Sequence, residues 1–154
     1  MNTQTQLERA EHLLAEWARG SNRPQPHRLD FDIDPDDLLV AAGALVRGGW
    51  GYLVAITGMD PGVETGELWV LYHFAEGAAV VTLRLSIPRE KPVVATLRDL
   101  VPLSGIYERE LSEILGVEIA GAADQSRLFI PDDWPEGVWP MRKDFEIASA
   151  LAEG

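Results

Sequence analysis

Two β-rich runs, residues 67–74 and 79–87, are separated only by Ala75-Glu76-Gly77-Ala78. So short a spacer makes them antiparallel neighbours in a hairpin, because a parallel crossover needs a dozen residues or more. In the second run Val81, Leu83, Leu85 and Ile87 alternate with Val80, Thr82, Arg84 and Ser86. Successive side chains of a strand point to opposite faces, so one face of this sheet is apolar and has to receive helices.

The flanking sequence supplies them. Residues 5–19 place Leu7, Ala10, Leu14, Trp17 and Ala18 on one helical face, with Thr5 and Glu8 spaced as a capping box and Gly20 as the predicted stop. A proline-containing loop over 21–26 leads into a strand at 29–33, where Leu29, Phe31 and Ile33 alternate with Asp30 and Asp32. Asp34-Pro35 reads as the N-cap and first residue of a second helix, which runs to about Arg47 and stops at Gly48-Gly49. A strand over 50–57 precedes the hairpin. A connector at 88–92, a short helix around 96–101 and a longer one over 105–115 follow it. The last puts Tyr107, Leu111, Ile114 and Leu115 at helical spacing, facing the sheet, with Gly116 as its stop. This order predicts an α+β fold with a largely antiparallel sheet covered by helices. From about Gly121, Pro131, Pro135 and Pro140 recur among Trp134, Trp139, Met141 and Phe145 without helical or strand period. The expected division is an α+β domain over 1–120 and an extended, partner-docking tail over 121–154.

Charge and composition narrow the function classes. Thirteen Lys and Arg against 25 Asp and Glu give a net charge of −12, which repels phosphate backbones and anionic headgroups and argues against nucleic-acid or direct lipid binding. The absence of cysteine removes disulfides, thiolate zinc sites and a self-held iron–sulfur cluster. The longest apolar run, 38–46, is nine residues, about half of the ~20 that span a bilayer. The first residues lack the basic and apolar regions of a signal peptide. The expectation is a chain without direct membrane insertion.

Asp30, Asp32 and Asp34 begin like a calcium loop, but Pro35 and Ala41 stand where such a loop needs Gly and Glu. Outward acidic residues of a strand plus a helix cap explain the same spacing. His12, His27 and His73 lack ligand spacing. Glu108 and Glu110, two apart on a helix, diverge and do not make an acid/base pair. No catalytic residue, metal or cofactor is expected.

Two stretches are more specific: Tyr107-Glu108-Arg109-Glu110-Leu111-Ser112-Glu113-Ile114-Leu115-Gly116-Val117, and the tail from Leu128 to Phe145. In this order and separation they resemble the 30-kDa subunit family of respiratory complex I, the NADH-quinone oxidoreductase. That family's signature is an ERExxDxFGI helix, a GHPDLRR-like segment and a PDDW…G.PLRKDF tail. Glu108, Arg109, Glu110 and Gly116 match the first part, with Glu113 for the Asp. Gly121, Asp124 and Arg127 match the second, where Ala122 and Ala123 stand in place of His-Pro. Pro131, Asp132, Asp133, Trp134, Gly137, Pro140, Arg142, Lys143, Asp144 and Phe145 match the third. The ending looks more like the branch found in energy-converting, membrane-bound nickel–iron hydrogenases and formate hydrogenlyase-type complexes.

The resemblance implies a cofactor-free, non-catalytic subunit of a peripheral arm, seated against a large hydrogenase-like subunit and near a small iron–sulfur subunit. It further implies a location on the cytoplasmic face of the membrane, held there through the complex. The tail residues expected to contact the partner are Trp134, Trp139, Pro140, Arg142, Lys143, Asp144 and Phe145; Glu108, Arg109, Glu110, Glu113 and Gly116 are expected to be structural. Arg109 should pair with Glu113 or with an acidic group elsewhere. A stand-alone enzyme using carboxylates and an unrelated binding module remain the alternatives at this point.

Overall fold

The computed structural model describes residues 1–147; positions 148–154 of the predicted tail lie outside the described residues. In chain order the elements are α1 (Thr3–Leu14), β1 (Ala18–Gln25), β2 (Arg28–Ile33), α2 (Leu38–Arg47), β3 (Tyr52–Met59), β4 (Glu67–Glu76), β5 (Ala79–Pro88), β6 (Val93–Ala95), α3 (Ser104–Leu115) and β7 (Glu118–Ala120). The main sheet has the order β1-β2-β5-β4-β3, antiparallel except where β2 runs parallel to β5. The α+β reading of the sequence holds.

The alternation in β5 decides which face carries the core. Val81, Leu83 and Leu85 lie opposite Phe74, Tyr72 and Val70; all six are fully buried, and Leu29 and Phe31 of β2 are buried beside them. Each aliphatic or Phe side chain among them contributes ~1.5–3 kcal/mol by leaving water. Helix α1 packs on β5 and α2 on α1, while Trp50, fully buried, donates its indole N–H to the Gln6 carbonyl at 2.8 Å and ties α1 to the start of β3. Helix α3 covers β3. Its approach is so close that a Cβ on Gly58 would stand 2.6 Å from Leu111 Cδ1 and would overlap Leu115 Cδ1, so any side chain there has to displace both leucines.

The opposite face is polar. Arg28 pairs with Asp30 at 2.8 Å and Arg84 with Asp32 at 2.6 Å, while Asp34 accepts from the Asp36 amide at 3.0 Å and caps the 3-10 turn before α2. The acidic 30–34 run is therefore outward strand residues and a cap, as its alternation indicates.

Several sequence expectations are corrected. Helix α1 spans Thr3–Leu14, not 5–19, and its cap is Asn2, whose side chain accepts from the Thr5 amide. Residues 21–25 of the loop expected at 21–26 belong to β1, an exposed edge strand; Pro24 is tolerated there because one side of an edge strand needs no donor. Strand β3 covers Tyr52–Met59 rather than 50–57. No helix forms over 96–101. Instead β6 ends at Ala95 and pairs parallel with β7, and a single turn follows in which the Leu100 and Val101 amides donate to the Leu97 carbonyl.

Candidate docking site

Helix α3 carries the first motif, and its amphipathic spacing sorts the residues. Leu111 and Leu115 are buried against Gly58 of β3, with Tyr107 and Ile114 half-buried beside them. Glu108, 2% exposed, accepts from the Leu97 amide and the Thr96 hydroxyl, both at 2.7 Å. Burial, with the Glu108 charge second, pushes the Tyr72 phenol above its ordinary pKa. Arg109 donates to the Ser126 carbonyl at 3.0 Å and the Arg127 carbonyl at 3.1 Å, and its guanidinium lies 3.6 Å from Asp124. Of the two partners expected for Arg109, the acidic group elsewhere is the one found. Glu113, one turn further along the same face, accepts from the amides of Leu128 and Phe129. Glu110 is half-exposed on the same helix.

The C-terminus of α3 seats the tail. A helix leaves its last four carbonyls without intrahelical partners. Gly116, left-handed at φ +73°, returns its amide to the Ser112 carbonyl. The Met141 amide donates to the Ile114 carbonyl at 3.0 Å, and Arg142 Nε donates to that of Leu115 at 2.8 Å. Trp139 lies on Gly116, where a Cβ would stand 2.7 Å from its Cδ2 and Nε1, and the Arg142 guanidinium sits 6.0 Å above the Trp139 ring. Burial lowers the pKa of Arg142, with repulsion from Arg89 second. Between helix and tail is a cleft of about 350 Å³ lined by Ser112, Glu113, Arg127, Trp134, Gly137 and Trp139.

A second seat lies at the end of the hairpin. Asp60, its side chain 2% exposed, binds Arg89, 8% exposed, at 2.5 Å. It also accepts from the amides of Gly62 at 2.9 Å and Lys143 at 2.7 Å. The Arg89 guanidinium, against the opposing effect of burial and helped by those amides, holds the Asp60 carboxyl well below the ordinary range. Arg89 also reaches Asp144 at 2.8 Å.

Among the expected partner-binding residues, then, Trp139, Arg142 and Asp144 make these contacts within the chain. Trp134 and Phe145 pack on each other at 6.0 Å, with Trp134 Nε1 bonded to the Val138 carbonyl. Pro140 is half-buried and the Lys143 side chain is exposed. From Gly121 to Glu146 the tail has neither helix nor strand, and over 131–140 its three prolines break any helix. Nothing in the sequence pointed to Asp60 and Arg89, which lie 83 and 55 residues from their tail partners.

Comparison with known proteins agrees with these motifs. Residues 31–150 match the family described as respiratory-chain NADH dehydrogenase, 30 Kd subunit. Membrane-bound hydrogenase subunit beta of Pyrococcus furiosus is 39% identical over 87 residues, 55% of this chain and 50% of that protein, so the chain spans about half of that relative's length. An NADH-quinone oxidoreductase subunit of Moorella thermoacetica is 31% identical over 124 residues, 79% of this chain and 82% of that one. In fold, the chain superposes on a chain of the membrane-bound sulfane sulfur reductase, an archaeal respiratory membrane complex, with a TM-score of 0.80 at 24% identity, covering 96% of this chain and 89% of the other. With both motifs placed on one surface and the family match spanning most of the chain, the chain belongs to the family of the 30 Kd subunit of respiratory-chain NADH dehydrogenase.

Proposed function

We propose that this chain is a non-catalytic peripheral-arm subunit of a complex I-like NADH-quinone oxidoreductase or energy-converting hydrogenase. In this reading it holds a large hydrogenase-like subunit and a small iron–sulfur subunit together on the cytoplasmic side of the membrane. The observation that carries this reading is the use made of the motif charges. Glu108, Arg109 and Glu113 direct their polar atoms at backbone groups of residues 97 and 126–129, which is scaffolding chemistry. The tail motif then closes the end of the same helix, so helix and tail form one surface whose exposed parts include Phe129, Met141 and Lys143.

In this reading docking runs through the tail of residues 121–154, with the exposed parts of Trp134, Trp139 and Phe145 beside Met141 as contact area and Lys143 facing a partner carboxylate. Aromatic and cationic groups contribute disproportionately at interfaces. Among the described residues no helix is long and apolar enough to cross a membrane, so in this reading the membrane is reached through partners. Co-expression with a hydrogenase-like large subunit from the same organism, followed by size-exclusion chromatography, tests the proposal. Co-elution at one-to-one stoichiometry is expected. Separate elution of two folded proteins at micromolar concentration would overturn it.

A further inference from the structure

The tail is proline-rich and without regular structure, which by itself would suit an arm that becomes ordered only on a partner. The second seat argues otherwise. Asp60 and Arg89 come from the loop after β3 and the residue after β5, and their side chains are 2% and 8% exposed. The pair leaves one carboxylate oxygen and one guanidinium nitrogen for the tail: Asp60 Oδ2 accepts from the Lys143 amide at 2.7 Å and Arg89 Nη2 donates to Asp144 Oδ1 at 2.8 Å. The tail thus meets one acceptor and one donor in a fixed spacing, two residues after the Met141 amide is taken by the end of α3. A buried charge pair is retained only where its remaining hydrogen-bonding capacity is met, and here the tail helps to meet it.

We infer that Asp60 and Arg89 form a socket that recognises Lys143-Asp144 and fixes the tail on its own domain in the free chain, so that the docking element is pre-formed. The inference deepens the function proposed above and rests on it for the partner, though not for the socket. A pre-formed element avoids most of the ordering cost that a free arm bears at binding. The same geometry assigns the outward groups: with Arg142 and Asp144 engaged at home, the Lys143 side chain and Met141, 62% exposed, are left to meet another protein.

Amide hydrogen exchange on the isolated full chain reads the socket directly, with the β4 and β5 amides as internal reference for global opening. The Met141 and Lys143 amides are expected to exchange at least tenfold more slowly than in an unstructured peptide. Asp144→Asn removes only the half-exposed arm of the network and should speed both about fivefold, the factor to which ~1 kcal/mol for a partly exposed ion pair converts. The double substitution Asp60→Asn/Arg89→Gln removes both buried charges together and should bring the two amides to unprotected rates. Should that double variant not fold, Asp144→Asn still decides. Unprotected Met141 and Lys143 amides in the parent chain, or protection unchanged by Asp144→Asn, would overturn the socket. Binding to a large subunit would remain intact in that case if only the socket were wrong, and would be absent from the parent chain if the functional reading itself were wrong.

Discussion

Gly116 is where helix motif and tail motif touch, and substituting it separates two effects that would otherwise be read as one. Gly116→Ala puts a Cβ on a residue at φ +73°, which costs about 1–2 kcal/mol for the left-handed backbone alone. The same Cβ would stand 2.7 Å from Cδ2 and Nε1 of Trp139, so the indole has to leave. Trp139 is half-buried, and half of the ~3–5 kcal/mol lost on truncating a buried Trp is about 2 kcal/mol. The steric part cannot exceed the free energy that docks the tail, because undocking relieves the clash. Gly116→Ala should therefore lower stability by about 3 kcal/mol, and in a Trp139→Ala background by only the ~1–2 kcal/mol of the backbone contribution. Urea unfolding followed by circular dichroism and fluorescence gives both values, provided the two transitions coincide. An equal cost of Gly116→Ala in the two backgrounds would show that Trp139 does not rest on Gly116.

Three further outcomes follow from the same geometry. Arg109→Ala should cost about 1.5 kcal/mol or more in urea unfolding, because its hydrogen bonds to two carbonyls are charge-assisted; a loss near the ~0.3–0.5 kcal/mol of an exposed helical ion pair would mean that it does not hold residues 126–127. Asp60 titrates below its ordinary 3.8, so its contribution is fully present above that pH and is lost as acid protonates it; Asp60→Asn should flatten the fall in stability below pH 4, and an unchanged profile would contradict the pairing. His73 bonds Thr57 and Thr82, and burial, with Arg28 second, lowers its pKa from 6.5 against a smaller opposing effect of Asp30. The unfolded chain then binds more protons just below pH 6.5, so stability should rise with pH up to that value, and His73→Gln should remove that slope in a series of melts.

What the sequence reveals depends on how local the deciding interaction is. The β4–β5 hairpin and the stop of α3 at Gly116 were legible, because alternation and a left-handed glycine are properties of adjacent residues. Strand β1 was hidden: Ser21 to Gln25 carries no apolar alternation, and its strand conformation comes from pairing with β2. Helix α1 looked longer than it is because Trp17 and Ala18 continue the apolar spacing, yet the Trp17 amide turns back to the Leu14 carbonyl and Ala18 starts β1. The helix expected over 96–101 is held to a single turn, because the Thr96 amide is taken by the Ala120 carbonyl beyond the end of β6 and Pro102 follows directly after Val101. In the site, both motifs were visible as residues, whereas their junction was not. It depends on Asp60, Arg89 and the free carbonyls of α3, which lie 83, 55 and about 27 residues from the tail residues they bind.

Scaffolding through a docked tail is tested most directly by the affinity of the chain for a hydrogenase-like large subunit before and after truncation behind Asp133. The comparison should be made at a temperature where exchange of the β4 and β5 amides shows the truncated domain folded. Truncation removes the whole tail surface, Met141 and Lys143 with the exposed parts of Trp134, Trp139 and Phe145, and losing even one energetically dominant interface residue typically costs ~2 kcal/mol of binding. The expected result is a Kd weaker by at least about thirtyfold, at ~1.4 kcal/mol per tenfold. An unchanged Kd for the folded, truncated domain would contradict docking through the tail.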